Sequence, residues 1–404
     1  MLAWSDPSDP SLSAASQGGV CRTIRAAGQE RTLHTRLLFF LRCPQCGGEL
    51  DLVPTPSDAA AGEDSDEEVG EGLLTCAGEH WFPVVRGIPR MLPDSLEEHW
   101  ASVEPRLTAL PPERAASVRR GIAPAATSRA YDKRTQENFS LEWDFHEVGD
   151  ATWGIELDER VKTFFVEPIR VPVSELAGKV VLDAGCGNGS QSVVYTELGL
   201  EVIALDLSSG VEHGLAFLAR REKADPKKIH FVQGDLQNPP LADDCVDLIH
   251  SAGVLHHTPD TLGTFRRLCR VLKPGGTFYV WLYKHEQGVT PVVNSIRAVT
   301  TRMRPATFAK VAGGLAGAFQ AFRAGANALG LRKYPPTTRR EAALALMDIF
   351  GAPHAHAHSF PEVKGWFEEQ GFGEVWPCND DRRGFGACGR LAVRKDASQP
   401  VLSG

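Results

Sequence analysis

The stretch Val180–Gln191, VVLDAGCGNGSQ, decides the fold. The run KVVLDAG is continuous and β-branched, as a parallel strand buried on both faces requires. SQSVVYTEL after it carries helical spacing instead. Gly185, Gly187 and Gly189 therefore fall at a strand-to-helix turn. Glycine there admits positive φ and lets a ligand approach the main chain, while the free N–H groups of the following helix attract negative or polar groups.

A dinucleotide site would carry G-x-G-x-x-G with a pyrophosphate on the helix end. This turn reads G-x-G-x-G and is preceded by Asp183, an acid suited to a ligand with a positive end, such as an amino acid's ammonium. S-adenosylmethionine is such a ligand. Downstream, LEVIALDLS ends a second apolar run at Asp206, positioned to accept hydrogen bonds from both ribose hydroxyls. IHFVQGDLQNPPL ends a third at Asp235, suited to the adenine amino group. CVDLIHSAGVLHH supplies a fourth strand, and RVLKPGGTFYVWLY closes a helix with Pro-Gly-Gly before a fifth.

In this order the signals resemble class I S-adenosylmethionine-dependent methyltransferases, most closely the ubiquinone and menaquinone biosynthesis type, over about Tyr131–Tyr283 and again in SFPEVKGWFEEQGFGEVWPC. The resemblance implies an α/β, doubly wound, seven-stranded and mostly parallel sheet. It also implies a cofactor site drawn from Asp183, Gly185, Cys186, Gly187, Gly189, Asp206, Leu207, Gly234, Asp235, Leu236 and Ser251. Tyr131 and Trp143 lie where the family's N-terminal helices fold over the cofactor, and are candidates for its cover; such aromatics also serve as plain packing. Taken singly, the glycines also read as a tight turn and the acids as strand-end caps.

A second constellation precedes the first. Cys43-Pro-Gln-Cys46-Gly-Gly is a thiolate pair on a tight knuckle, whose Gly47 and Gly48 can turn N–H groups toward the sulfurs. Tetrahedral zinc needs two more ligands. Cys76 and His80, spaced C-x3-H, can supply them from the far side of a hairpin formed by ELDLV and LLTC. GEHWFPVVRGIPRML resembles the zinc ribbon typified by the activator subunit of tRNA and protein methyltransferases, with Glu79 where that family's last cysteine stands. The C-x3-H ending is similar to the N-terminal finger of large-subunit ribosomal RNA guanine methyltransferases. With no open coordination position the zinc is structural; the competing reading is a ribbon that has lost its metal.

These readings divide the 404 residues into a disordered lead-in (1–34), the ribbon (35–95) with an acidic loop (56–72), and a helical linker (96–130). The core (131–284), a helical cap inserted after the fifth strand (285–358) and the end of the core (359–397) follow. Net charge is −8, but unevenly spread. Asp58–Glu71 holds seven acids and no base, a solvated loop, whereas His285–Glu341 holds nine Lys or Arg against two Glu. The nine cysteines have no secretory context, so reduced thiols and a cytoplasmic protein are expected. No stretch long enough to span a bilayer lacks charges, and the N-terminus has no basic-then-apolar signal.

Insertions at the carboxyl edge of such a sheet face the ligand crevice. The cap is therefore expected to select the acceptor, with Phe308, Phe319 and Phe322 around an apolar pocket and Arg297, Arg302, Arg304 and Lys310 lining another side; a lid with a solvated basic face is the plainer reading. If the acceptor must lose a proton, His256 and His257 in VLHHTPD lie at the crevice mouth, and His256 is preferred. They also read as helix-start packing residues. His354–His358, HAHAH, reads as a loop. The sequence thus points to methyl transfer onto a small molecule. Methylation of ribosomal or transfer RNA and a non-catalytic methyltransferase partner subunit are the alternatives. RNA is disfavoured by the negative charge and the lack of aromatic-basic interleaving, and the scaffold by the presence of Asp183, Asp206 and Asp235 together.

Overall fold

The computed structural model describes residues 33–54, 68–122, 133–145, 151–152, 155–285, 291–331, 338–381 and 383–393. The N-terminal part contains β1 (Leu33–His34), α1 (Leu37–Phe40), β2 (Asp51–Pro54), β3 (Glu68–Val69), β4 (Glu71–Thr75), β5 (Trp81–Val85) and β6 (Ile88–Pro89). β2, β4, β5 and β6 form an antiparallel four-stranded sheet in that order, with β2 and β4 pairing as the expected hairpin. β1 pairs with β3, Leu33 opposite Val69. Residues read as lead-in and acidic loop thus form a strand pair, because the main chain offers a partner on each side whatever the local charge. The rest of the lead-in and of the acidic loop, residues 1–32 and 56–67, lies outside the described residues.

The expected linker folds onto the ribbon. α2 (Ser95–Glu98), α3 (Trp100–Val103), a 3₁₀ turn over Glu104–Ala109 and α4 (Pro112–Gly121) bury Leu96, Val103, Leu107 and Val118 against Val53, Leu73 and Trp81. Trp81 Nε1 donates to Ser117 Oγ at 3.0 Å, and Ser117 Oγ donates to Glu79 at 2.8 Å.

α5 (Lys133–Phe145), β7 (Ala151–Thr152), β8 (Ile155–Glu156), α6 (Leu157–Val161) and α7 (Glu167–Ile169) lead to the main sheet. It is built from β9 (Val180–Ala184), β10 (Glu201–Asp206), β11 (Ile229–Gln233), β12 (Val246–Ala252), β13 (Leu272–Tyr283), β14 (Phe372–Asp380) and β15 (Gly384–Leu391). The order is β11-β10-β9-β12-β13-β15-β14, parallel from β11 to β13, with β15 antiparallel to β13 and β14 antiparallel to β15. This is the doubly wound, seven-stranded, mostly parallel sheet expected. The Pro-Gly-Gly expected to close a helix lies inside β13, where the register with β12 shifts between Val246 and Leu248.

Alternation along the central strands sorts the two faces. Val180, Leu182, Ala184, Ile203 and Leu205 join one core with α10 (Thr261–Val271) and α14 (Phe360–Glu369). Val181, Val202 and Ala204 join the other with α8 (Ser190–Glu197) and α9 (Val211–Leu218). The first core also takes in Leu37, Leu41, Phe82 and Met91 of the N-terminal part. Met91 N donates to the Gln233 carbonyl at 2.8 Å and Arg42 N to that of Pro240 at 2.9 Å, so the ribbon is stitched to the β11 edge. The insertion forms α11 (Pro291–Thr300), α12 (Pro305–Ala328) and α13 (Arg339–Gly351). Phe308, Ala312, Leu346 and Met347 share a core with Leu141 of α5, which makes one helical layer over the carboxyl edge of the sheet.

Candidate functional site

At the carboxyl ends of β9 and β10 the chain turns through Gly185, Gly187 and Gly189 at φ of 85°, 57° and 69°, conformations glycine adopts without strain. The Gly185 and Cys186 N–H groups donate to the Leu205 carbonyl and tie this turn to β10. Asp206 ends β10 with its carboxylate against the turn. Oδ2 accepts from Gly187 N at 2.8 Å, and Oδ1 accepts from Ser208 N at 2.8 Å and Ser208 Oγ at 2.6 Å. Burial pushes the Asp206 carboxyl upward against the pull of those hydrogen bonds.

Trp143 from α5 lies on this turn. A Cβ at Gly187 would overlap its indole, and one at Gly210 would fall 2.7 Å from Cδ1. The bare main chain at Gly187 therefore accommodates an aromatic ring of the same chain. Tyr131, the other candidate cover, lies outside the described residues.

Asp183 is placed differently from expectation. Its Oδ2 accepts from Ser192 Oγ at 2.5 Å, its Oδ1 lies 3.3 Å from His250 Nδ1, and the residue is only 3% exposed. Both oxygens face inward, binding α8 to β9, so a direct contact to a ligand's ammonium is not built. Ser251 also turns inward, donating to the Ala184 carbonyl at 2.9 Å. Cys186 and Leu236 are buried, Leu207 is half-buried, and Gly234 N donates to the Asp206 carbonyl. Asp235 is half-buried just past β11, with Oδ1 accepting from Gln237 N at 2.8 Å.

A polar cluster lies beneath the cap. His257 Nδ1 lies 2.8 Å from the His354 carbonyl and Nε2 3.5 Å from Asp348 Oδ1, so both ring nitrogens face acceptors. Asp348 comes from α13, and Tyr283 at the end of β13 donates its hydroxyl to the same carboxylate at 3.1 Å. Burial raises the Asp348 carboxyl, but the His257 hydrogen bond and charge outweigh it and hold it below its ordinary value. Glu142 of α5 is pushed well upward by burial, then by the charges of Asp348 and Asp206. Glu142 Oε2, Asn138 Nδ2 and Gln191 Oε1 are buried without a hydrogen-bond partner among the described residues. Buried polar atoms are rarely left so.

His256, preferred from sequence, stacks on Tyr283 with centroids 3.9 Å apart and is fully buried. Desolvation drives its pKa well down, and neither ring nitrogen has a partner among the described residues. The structure thus gives His257 the carboxylate. Asp348, Glu142 and Tyr283 were not singled out from the sequence. The available signal was an acid inside an apolar run, in ALALMDIF and FSLEW, since such an acid is buried with a purpose. Arg297, expected to line the pocket, instead caps α13, donating to the Ile349 and Ala352 carbonyls at 2.7 Å. Phe322, expected inside, is 65% exposed.

Residues 182–280 match the family model for a methyltransferase domain. This segment is a class I S-adenosylmethionine-dependent methyltransferase domain. The chain is 37% identical over 100 residues to malonyl-acyl-carrier-protein O-methyltransferase of Pectobacterium atrosepticum, covering 25% of this chain and 37% of that one. It is 31% identical over 129 residues to demethylmenaquinone methyltransferase of Renibacterium salmoninarum, covering 32% and 49%. The chain therefore spans half or less of these relatives' lengths. The solved structure of magnesium protoporphyrin IX methyltransferase from Synechocystis with bound SAH superposes with a TM-score of 0.37 at 15% identity, over 65% of this chain and 100% of that one.

Upstream of the methyltransferase domain, the structure brings Cys43, Cys46, Cys76 and His80 together, their ligand atoms all within 4.8 Å of one another. Cys43 Sγ and Cys76 Sγ lie 3.4 and 3.3 Å from His80 Nδ1, and Cys46 Sγ lies 3.6 Å from Cys76 Sγ. Three sulfurs and one imidazole at these separations fit the corners of a tetrahedral zinc site. The knuckle is closed by Gly47 N donating to the Cys43 carbonyl and Cys43 N to that of Gly48, both at 2.8 Å. The Gly48 N–H points at Cys46 and is the main cause of its lowered thiol pKa.

Proposed function

We propose that the chain is a methyltransferase that takes its methyl group from S-adenosylmethionine and gives it to a small-molecule acceptor held between the strand ends and the cap. One observation carries the reading. Asp206, bonded to Gly187 N at the end of a parallel strand, and Asp348, the partner of His257, both act on the buried Glu142 carboxyl of α5. Bound there, S-adenosylmethionine would supply an electrophilic methyl on a sulfonium. The Asp206 carboxylate and the half-buried Asp235 suit the ribose hydroxyls and the adenine amine, and Trp143 on Gly187 and Gly210 suits a cover. Gln191, Asn138 and Glu142 offer the unsatisfied polar atoms.

The acceptor's proton is the remaining problem. His257 and Asp348 can hold it between Nε2 and Oδ1, with Nδ1 oriented by the His354 carbonyl and the carboxylate fixed by Tyr283. Methyl transfer is otherwise a matter of holding two partners in line. The same core relates this chain to proteins named for malonyl-acyl-carrier-protein and demethylmenaquinone substrates, which supports a small acceptor group over a nucleic acid. We also assign zinc to the four ribbon ligands, as a structural staple.

Calorimetric titration with S-adenosylmethionine tests the assignment. The wild-type chain should bind, and Asp206→Ala should weaken affinity at least about tenfold, the loss expected for charge-assisted hydrogen bonds. Unchanged affinity in the variant overturns the ribose contact, and no binding by the wild type overturns the function.

A further inference from the structure

We propose that the outer face of the cap is a docking surface for an anionic phospholipid membrane. Seven of the ten exposed large hydrophobic side chains among the described residues lie between Ile296 and Leu331. On α12 and its C-cap, Val311, Leu315, Phe322 and Leu329 are 38%, 54%, 65% and 74% exposed. Their spacings of four, seven and seven return each to nearly the same helix angle, with Ala318 and Gly325 filling the places between. They therefore form one straight apolar ridge, while Phe308, Ala309, Ala312 and Ala316 on the neighbouring arc are buried against the cap's own core. Ile296 and Val299 add exposed apolar surface on α11.

A solvated helix face normally carries charge. From Val311 to Leu331 the only charged residue is Arg323, and it is buried. A contiguous apolar strip of this kind marks a contact surface. Charge selects what it meets. Residues 291–331 hold five Arg or Lys and no Asp or Glu, in a chain of net charge −8. Arg302, Arg304 and Lys310, at the N-terminal end of the ridge, are exposed. A second copy of this face would bring like charges together, whereas acidic headgroups neutralise them and leave the ridge to enter the acyl boundary. No helix among the described residues is long and apolar enough to cross a membrane, so α12 would lie in the interface plane.

Flotation of the full chain with vesicles tests this, and needs neither cofactor nor acceptor, so its failure leaves the methyl-transfer reading standing. Binding is expected to phosphatidylcholine vesicles containing phosphatidylglycerol and not to phosphatidylcholine alone. It should fall steeply as salt rises from about 0.05 to about 0.5 M. Leu315→Ser with Phe322→Ser should weaken it at least about tenfold, and Arg302→Ser or Arg304→Ser roughly fivefold each. All four residues are exposed, so the fold survives, as a thermal melt would verify. Independently, Phe322→Trp should add a blue-shifted component to the difference spectrum against wild type on anionic vesicles. No binding at low salt, binding indifferent to the serine pair, or no blue shift overturns the proposal. So does a dimer in light scattering that the serine pair dissolves.

Discussion

Glu142 is an acid held away from water. It is buried on α5 between the Asp206 and Asp348 carboxylates, and burial and those charges push its pKa well upward. For an acid raised on folding the sign is definite. Below its unfolded pKa both states are neutral and nothing is lost; as pH rises through that value the unfolded chain ionises first and folding is penalised. Glu142→Gln removes the penalty. It should raise Tm by roughly 2–4 °C at pH 8 and by little at pH 4, and differential scanning calorimetry at both values would measure the contrast. An equal gain at both would mean that Glu142 is ionised in the fold. The glycine turn and Asp206 were legible in the sequence because they sit in a contiguous motif. Asp348 and Glu142 were not, because each is one acid in a helix far from its partners, and only the fold makes them neighbours. Asp183 is a related case: the sequence locates it beside the glycines but not on which side of β9 its carboxylate falls.

At the scale of elements, the ribbon's buried side chains are shared between the core of the main sheet and that under α2–α4, and two further staples hold it. The first is the proposed zinc site at Cys43, Cys46, Cys76 and His80. Zinc bound by the folded ribbon and not by the unfolded chain contributes its binding energy to folding. The wild type should carry about one zinc per chain by elemental analysis, and Cys43→Ser should lose it, with a chelator lowering the Tm of the wild type only. Full retention of zinc by Cys43→Ser would refute the ligand set. The second staple is α4, held through Ser117, which accepts from Trp81 Nε1 and donates to Glu79. Ser117→Ala orphans a buried indole N–H and should cost about 1–3 kcal/mol in urea unfolding; a change within error would mean that water replaces the hydroxyl. The C-x2-C and C-x3-H spacings made legible the four side chains that the fold brings together. The role of the so-called linker was not, because its Ala and Arg content conceals the few large residues, Leu96, Val103 and Leu107, that pack on the ribbon.

Over the whole molecule, the ribbon and the methyltransferase domain share one core and one sheet edge. An exposed β11 would present unpaired main-chain groups to any passing strand, and the ribbon covers its end through Met91 and a bridge between Arg90 and Gln233, while Arg42 holds Pro240 beyond it. Arg90, 1% exposed, donates to Gln233 at 3.1 Å and to Glu212 at 2.8 Å. No local motif announces this contact, since its halves lie far apart in sequence. A second clasp joins Arg36, just before α1, to Glu201 at the start of β10, with both nitrogen-oxygen distances 2.6 Å and His230 3.2 Å away. Burial raises the Glu201 carboxyl, but hydrogen bonds from His230 and Arg36 outweigh it and bring it down to about 2. A depressed acid contributes stability that is complete above its unfolded pKa and lost as pH falls through the folded value. Glu201→Gln should therefore cost about 2 kcal/mol at pH 7, between the values for exposed and buried pairs because Arg36 is largely exposed. That deficit should shrink steadily between about pH 4.5 and pH 2 as the wild type loses the charge. Urea unfolding of both chains at pH 7, 4 and 3 would follow it, and a deficit that stayed constant would mean that the clasp acts through shape and not through charge.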